Sequence, residues 1–119
     1  MKVRKKTVSR WGIYAIKKNL NKSNFIINDV IEKPSVSSAP SNNAVIGRYI
    51  LHKSIFNKLK KQKSGKGGEI HITDTIRDLI KGGSLFIGHR FKGKYLDCGS
   101  MDGYINSGKE ISKLWNFAW

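Results

Sequence analysis

Residues 11–34 have the sequence WGIYAIKKNLNKSNFIINDVIEKP. Aromatic and β-branched residues dominate 11–16 and 25–31, and this composition predicts two strands. The polar residues from Asn19 to Asn24 between them are typical of a turn. Pro34 ends the second strand, because proline has no amide hydrogen to donate to a sheet ladder. The stretch therefore predicts two strands joined by a turn.

The segment after this stretch predicts a third strand and a short helix. A polar loop over 35–43 precedes an apolar strand over 44–51, in which Gly47 indicates a bulge or a close approach of two backbones. Ser54 is placed to cap a helix over 55–62. The apolar face of that helix consists of Ile55, Phe56 and Leu59.

A second helix and two further strands are predicted in the middle of the chain. Thr73 or Asp74 is expected to cap the helix, which ends at Gly82, since Ser, Thr, Asp and Gly are the usual residues at these positions. Its apolar stripe consists of Ile72, Ile76, Leu79 and Ile80. Strands are predicted over 84–91 and 94–97.

The end of the chain predicts one more helix, over 107–119. Apolar residues recur there at helical spacing, at Ile111, Leu114, Trp115 and Ala118. Strands and helices mix along the chain with no repeat, which predicts an α/β fold. A chain of 119 residues forms one domain at most.

The formal net charge of +15 suggests a nucleic-acid-binding protein, because clustered cations release counterions from phosphates. Of the 23 basic residues, however, 18 are Lys and only 5 are Arg, the residue best suited to contacts with guanine. A solvated lysine surface is therefore the preferred interpretation. Nucleic-acid binding stays as an alternative hypothesis.

The cysteine and histidine content bears on compartment and metal sites. Cys98 is the only cysteine and cannot form an internal disulfide, so the reducing cytoplasm is the expected location. As a small apolar residue it is expected to be buried. No histidine lies at zinc-ligand spacing from another ligand. No apolar run is long enough to span a membrane.

Short motifs in a fixed order carry the functional prediction. They are Trp11-Gly12, Glu32-Lys33-Pro34, Ala39-Pro40-Ser41-Asn42, Gly47-Arg48-Tyr49, Gly67-Gly68-Glu69-Ile70-His71-Ile72-Thr73-Asp74 and Tyr95-Leu96-Asp97-Cys98-Gly99-Ser100. Each motif alone is weak, whereas the ordered set is specific. From about Val8 to Tyr104 the chain resembles bacterial UTP–glucose-1-phosphate uridylyltransferases. The resemblance implies the C-terminal part of a nucleotide-diphospho-sugar transferase fold, with a Rossmann-like mixed sheet that is incomplete here.

The resemblance assigns sugar-phosphate binding to Glu32 and Lys33. Glu32 would hold the glucose hydroxyls, since a carboxylate accepts strong, charge-assisted hydrogen bonds. Lys33 would hold the phosphate as the catalytic cation and stabilise the negative charge that develops during transfer. Taken without the flanking motifs, the two residues are an exposed charge pair at a strand end, which contributes little.

The resemblance also implies roles for Gly12 and Asp97. Gly12 would face the sugar, because a residue without Cβ lets a ligand approach the backbone; an ordinary strand glycine is the alternative. Asp97 would be one ligand of a catalytic Mg²⁺, which takes one or two carboxylates together with phosphates and waters. The alternative is that Asp97 caps the turn through Cys98 and Gly99.

The resemblance stops short of a complete site. The family's Gly-x-Gly-Thr-Arg-x-x-Pro loop, which binds the nucleoside triphosphate, has no counterpart in this sequence, nor has the second metal ligand. The N-terminal half of the expected enzyme is therefore predicted to be missing through gene truncation, a frameshift or a split gene, and a split gene would supply it as a separate polypeptide. Glucose 1-phosphate and UDP-glucose are the expected ligands, and a homo-oligomer is one form of assembly. A non-functional remnant is the remaining alternative.

Overall fold

The computed structural model describes residues 1–115. The elements in chain order are a 3-10 helix at Lys5–Arg10, β1 (Gly12–Asn19), β2 (Asn24–Glu32), β3 (Asn43–Ala44), α1 (Ile55–Leu59), a 3-10 helix at Lys66–Gly68, α2 (Ile72–Lys81), β4 (Phe86–His89) and α3 (Met101–Leu114). The chain contains both strands and helices, which confirms the predicted mixture of α and β structure. In the part of the chain described, no helix combines the length and apolarity that a membrane crossing requires.

The sheet is built around the hairpin of β1 and β2. Its strand order is β3-β1-β2-β4, and each neighbouring pair is antiparallel. The hairpin turn is closed by Asn21, whose Oδ1 accepts hydrogen bonds from the amides of Ser23 at 2.9 Å and Asn24 at 2.8 Å. Both strands predicted within residues 11–34 are thereby confirmed.

Two apolar clusters hold the fold together. One lies around the fully buried Val8, Ile13 and Ala44 and joins the first 3-10 helix to the sheet. The other consists of Val30, Ile55 and Ile76, which join β2 to α1 and α2. Burial of this kind contributes about 25 cal/mol per Å² of apolar surface. The second cluster places the start of α2 beside the end of β2.

The end of α2 was predicted correctly and its beginning was not. Ser84 donates its amide to Leu79 O at 2.9 Å, and Gly83 adopts a φ of 91°, the left-handed conformation that closes a helix C-terminus. The N-cap is His71, with no side-chain capping bond. Thr73 therefore does not cap the helix, because it lies inside the first turn and bonds elsewhere.

Two predicted strands do not form as expected. Of residues 44–51, only Ala44 belongs to a strand, and the remainder is irregular. Residues 94–97 also form no strand. The physical reason is shared, because an apolar stretch becomes a strand only where another strand offers it a ladder of hydrogen bonds. Apolar composition alone does not supply that neighbour.

The predicted bounds of two helices also differ from the structure. α1 ends at Leu59 rather than at residue 62. Ser54 is its N-cap residue, as predicted, but makes no side-chain capping bond, and its hydroxyl bonds His52 Nδ1 at 2.9 Å instead. α3 begins at Met101 rather than at residue 107, because Ser100 Oγ accepts from the amide of Gly103 at 3.1 Å and caps the helix there. Residues 116–119 of the predicted C-terminal helix lie outside the described residues.

An ion pair fastens α2 to β2. Arg77 donates from Nε to Asp29 Oδ1 at 2.8 Å and from its terminal nitrogen to Oδ2 at 3.2 Å, so the contact has two parallel hydrogen bonds. We expect a coupling of about 0.5–1 kcal/mol, because both side chains are roughly one-third exposed and water screens the pair. A double-mutant cycle of Asp29→Asn and Arg77→Ala in urea unfolding measures this coupling. Additive losses from the two substitutions would contradict it.

Candidate functional site

A cleft of about 250 Å³ opens where β1 begins and β2 ends. The antiparallel register pairs Gly12 with Glu32, so these distant residues share one end of the sheet. The packing of α2 on β2 brings Thr73 to the same point. The residues that line the cleft include Trp11, Gly12, Glu32, Tyr49, Thr73 and Tyr95.

Glu32 is held in position by a single protein bond. Thr73 Oγ1 donates to Glu32 Oε2 at 2.7 Å, and Thr73 itself is buried. Within residues 1–115, no protein group donates to Oε1 and no cation pairs with the carboxylate. One oxygen is thus fixed by the protein while the other is available to a ligand. This is the arrangement expected of a carboxylate that accepts from a bound hydroxyl.

Gly12 provides the space that this arrangement needs. A Cβ at position 12 would lie 3.0 Å from Glu32 Oε2 and 3.2 Å from Thr73 Cγ2. Any larger residue would push apart the two groups that form the hydrogen bond. The φ angle of Gly12 is ordinary, so glycine is required here by space and not by backbone conformation.

Aromatic side chains form the rim of the cleft. The rings of Trp11 and Tyr95 meet edge to face, with centroids 5.5 Å apart. Burial raises the pKa of Tyr49 above its usual range, and the charge of Glu32 raises it further. Tyr49 therefore remains a neutral phenol that can donate a hydrogen bond at physiological pH.

Lys33 follows Glu32 but does not line the cleft in this structure. Its backbone is left-handed, with φ of 43°, a conformation that is uncommon for residues other than glycine. Its amide donates to Trp11 O at 2.9 Å, and its carbonyl accepts from the Lys66 amine, which links the 3-10 helix at Lys66–Gly68 to the end of β2. In the described residues the Lys33 amine itself has no protein partner.

Asp97 occupies a tight turn before α3. Its Oδ1 accepts from the Gly99 amide at 3.0 Å, which is the hydrogen bond of the turn-capping alternative. Residues 1–115 contain no group of three or more His, Cys, Asp or Glu that could surround a metal ion. The carboxylate is half-buried, and one such ligand does not complete a magnesium site.

Some features of this region were missed or misjudged from the sequence. Thr73 was assigned to a helix cap, although its role in the structure is to orient Glu32. Tyr49 was noticed only as part of a motif, and nothing local in the sequence indicates that it faces Glu32. Cys98 was expected to be buried and is exposed. A separate depression of about 320 Å³ beside α1 is lined by Lys58, Lys61 and Leu79 and contains none of these groups.

The sequence matches the family model for nucleotidyl transferases over residues 1–113. It is 47% identical over 83 residues to a UTP–glucose-1-phosphate uridylyltransferase of Pseudomonas aeruginosa, an alignment that covers 70% of the chain and 29% of the relative. It is 38% identical over 107 residues to UTP–glucose-1-phosphate uridylyltransferase 2 of Streptococcus pyogenes, covering 90% of the chain and 36% of the relative.

Solved structures show the same relationship. The fold superposes with a TM-score of 0.87 on a crystal structure of UDP-glucose pyrophosphorylase complexed with UDP-glucose, at 42% identity, covering 96% of this chain and 42% of the other. A UTP-bound UGPase from Acinetobacter baumannii gives a TM-score of 0.69 at 28% identity, covering 99% and 44% of the two chains.

The chain spans about a third of the length of the curated relatives it matches and less than half of the solved ones. Within that span, the matched proteins are members of the family that the ordered motifs predicted. The matches therefore favour a nucleotidyltransferase over the alternative of a nucleic-acid-binding protein. The chain therefore belongs to the nucleotidyl transferase family, and it is similar to UTP–glucose-1-phosphate uridylyltransferases along most of its length.

Proposed function

We propose that this chain forms the sugar-phosphate side of the active site of a UTP–glucose-1-phosphate uridylyltransferase. The observation that carries the proposal is the Glu32 carboxylate: Thr73 anchors Oε2 beside Gly12, and Oε1 accepts no hydrogen bond from the described residues. A pair of neighbouring sugar hydroxyls fits such a group, because each can donate to a charged oxygen. The aromatic rim formed by Trp11 and Tyr95 would cover an apolar face of the sugar.

The proposed reaction joins glucose 1-phosphate to the uridylyl group of UTP. A phosphate oxygen of glucose 1-phosphate attacks the α-phosphorus and forms a new P–O bond. The bond from the α-phosphorus to the bridging oxygen breaks, and pyrophosphate leaves with its electron pair. Lys33 is the proposed catalytic cation and would hold the sugar phosphate during the transfer. Its amine has no protein partner in the described residues, which leaves it available for this role.

The nucleotide side of the site is proposed to come from an N-terminal half on a separate polypeptide. More than half of each solved relative lies outside the aligned region, so the relatives have further residues that could complete such a site. We further propose a cytoplasmic location and a homo-oligomeric assembly. The single cysteine supports the first of these, because disulfide-rich chains belong to oxidising compartments.

Asp97 is the one residue of this chain that we propose as a ligand of Mg²⁺. The ion would neutralise charge on the transferring phosphates, and Asp97 would be one of its ligands. The described residues do not complete the coordination, so the remaining ligands would be substrate phosphates, waters and a carboxylate from the proposed N-terminal half. The turn-capping bond uses Oδ1 and leaves Oδ2 for this contact.

Binding of glucose 1-phosphate to the chain tests the role of Lys33. We expect Lys33→Ala to weaken binding by about 10–100-fold, because a charge-assisted contact to a phosphate contributes roughly 1.5–3 kcal/mol. Isothermal titration of glucose 1-phosphate into the wild-type and variant chains measures the effect. Lys22→Ala, an exposed lysine in the hairpin turn, is the matched control and should leave the affinity unchanged.

An activity assay tests the whole proposal. The chain is co-expressed with the N-terminal portion of the Pseudomonas aeruginosa relative, ending before the matched segment, and UDP-glucose formation from UTP is measured. Activity that requires both polypeptides and that Lys33→Ala abolishes supports the proposal. A co-purified pair that forms no UDP-glucose, or that is equally active with Lys33→Ala, contradicts it.

A further inference from the structure

Arg10 is the only cationic residue among the described residues that line the cleft, and Glu32 is the only acidic one. Within residues 1–115, the Arg10 guanidinium makes no ion pair and donates no hydrogen bond to the protein. One positive and one negative group therefore share a cleft of about 250 Å³ without pairing with each other. Each keeps hydrogen-bonding capacity for a ligand.

The remaining arginines of the described chain differ from Arg10 in this respect. Arg4 lies just before the same 3-10 helix, is exposed and does not line the cleft. The three arginines that follow β1 in the chain each donate a side-chain hydrogen bond, and they are Arg48, Arg77 and Arg90. An arginine without an acceptor keeps all of its N–H donors available. Arg10 thus combines a place in the cleft with a full set of free donors.

The backbone holds Arg10 in this place. It is the last residue of its 3-10 helix, and the next residue, Trp11, donates its amide back to Val8 O at 3.1 Å. Val8 is fully buried in the cluster that joins this helix to the sheet, and the Trp11 ring packs on the aromatic rim of the cleft. The Arg10 backbone is therefore anchored on both sides, while its exposed side chain is free to turn toward a ligand.

Arg10 and Glu32 lie on different sides of Gly12. The register of the sheet places Glu32 opposite Gly12, whereas Arg10 precedes Gly12 by two residues, so the Cα atoms of Arg10 and Gly12 are at most about 7 Å apart. A ligand that lies over Gly12 would meet a carboxylate on one side and a guanidinium on the other. The cleft therefore has an acceptor end at Glu32 and a donor end at Arg10.

We propose that Arg10 is a second ligand-binding residue of this cleft, and that its guanidinium holds the phosphate of a sugar phosphate whose hydroxyls bind Glu32. This inference rests on the proposed function and deepens it, because it assigns the group that recognises the anionic end of the ligand. The planar fork of arginine matches two oxygens of a phosphate. A sugar phosphate satisfies both ends of the cleft at once, whereas a neutral sugar satisfies only the Glu32 end.

Arg10 and the proposed catalytic cation Lys33 have separate positions on the phosphate. A phosphate monoester carries close to two negative charges at neutral pH and presents three acceptor oxygens, so it can accept from two cations at once. Lys33 does not line the cleft in this structure, and Arg10 does. Arg10 is thus the cation that meets a phosphate in the cleft as it stands, and it would set the preference for phosphorylated over neutral sugars.

Nuclear magnetic resonance of the nitrogen-labelled chain tests the contact directly. The side-chain Nε–H signal of Arg10 is assigned by its loss in Arg10→Lys. We expect glucose 1-phosphate, and more weakly inorganic phosphate, to shift this signal, because both present oxygens to the guanidinium. Glucose should leave the signal in place, and the Arg4 signal should not move with any of the three. No shift with glucose 1-phosphate, or an equal shift with glucose, would overturn the inference.

Isothermal titration of three variants measures the strength of the contact. Arg10→Ala should weaken glucose 1-phosphate binding about tenfold, and Arg10→Lys about threefold, because lysine keeps the charge and loses the fork. Arg4→Ala is the matched control, since it removes the same charge outside the cleft, and it should leave the affinity unchanged. All three variants should keep the wild-type urea-unfolding midpoint, because neither guanidinium has a partner within residues 1–115.

The outcomes separate this inference from the proposed function on which it rests. If Arg10→Ala binds glucose 1-phosphate as the wild type does while Lys33→Ala and Glu32→Gln bind it weakly, the inference alone fails. An equal loss of affinity in Arg4→Ala also overturns it, because the effect would then come from the net charge of the chain. If the wild-type chain binds no glucose 1-phosphate, the proposed function and the inference fail together.

Discussion

Replacing Phe25 with alanine is expected to lower the free energy of unfolding by about 3–5 kcal/mol. Phe25 is only 2% exposed, and its ring stacks on Tyr14 with centroids 5.3 Å apart. The Arg90 guanidinium covers the ring at 4.5 Å from its centroid. Alanine would leave a cavity among three strands that cannot all move inward. Because small domains are stable by only about 5–15 kcal/mol, this substitution would threaten the fold.

Two companion variants define the cause of this loss. Ile87→Ala removes an apolar side chain from β4 that is 56% exposed, and its cost should stay below about 1 kcal/mol because little surface is uncovered. Gly88→Ala should destabilise the chain, since a Cβ there would overlap the Phe25 ring. Urea unfolding followed by circular dichroism measures all three. A loss below about 1 kcal/mol for Phe25→Ala would contradict the proposed packing.

Glu32→Gln is expected to weaken glucose 1-phosphate binding by about 10–100-fold, the largest effect of a single-atom change in the cleft. The amide has the shape of the carboxylate, and its oxygen can still accept from Thr73. The nitrogen then replaces the free Oε1, so a ligand hydroxyl meets a donor and no negative charge remains. Binding falls while the fold persists, and isothermal titration together with urea unfolding separates the two effects.

The matched control for this variant is Glu69→Gln. That side chain is 70% exposed and does not line the cleft, so neutralising it changes the net charge equally without touching the site. We expect unchanged affinity for Glu69→Gln. Equal affinities of the Glu32→Gln and Glu69→Gln variants for glucose 1-phosphate would show that Glu32 does not contact this ligand. A reduced unfolding midpoint for Glu32→Gln would instead indicate that the carboxylate mainly supports the fold.

Local features of the sequence determined the elements that need few distant partners. The hairpin strands follow from β-branched and aromatic residues on either side of the Asn21 turn, and α2 follows from its apolar stripe and the glycines after it. These signals act over a few residues, so they can be recognised without the fold. The family resemblance carried by the ordered motifs likewise predicted that Gly12 and Glu32 act together, and the register of β1 and β2 brings these two residues to one end of the sheet.

Only the tertiary structure decided which groups meet. Thr73 and Glu32 are 41 residues apart, and their hydrogen bond exists because α2 packs on β2 through Val30 and Ile76. Residues 45–51 show the same dependence on distant partners: they have the composition of a strand, but within residues 1–115 no strand lies beside them to pair with. Hydrogen bonds between distant segments depend on the packing of the whole chain, and no local pattern of residues contains that information.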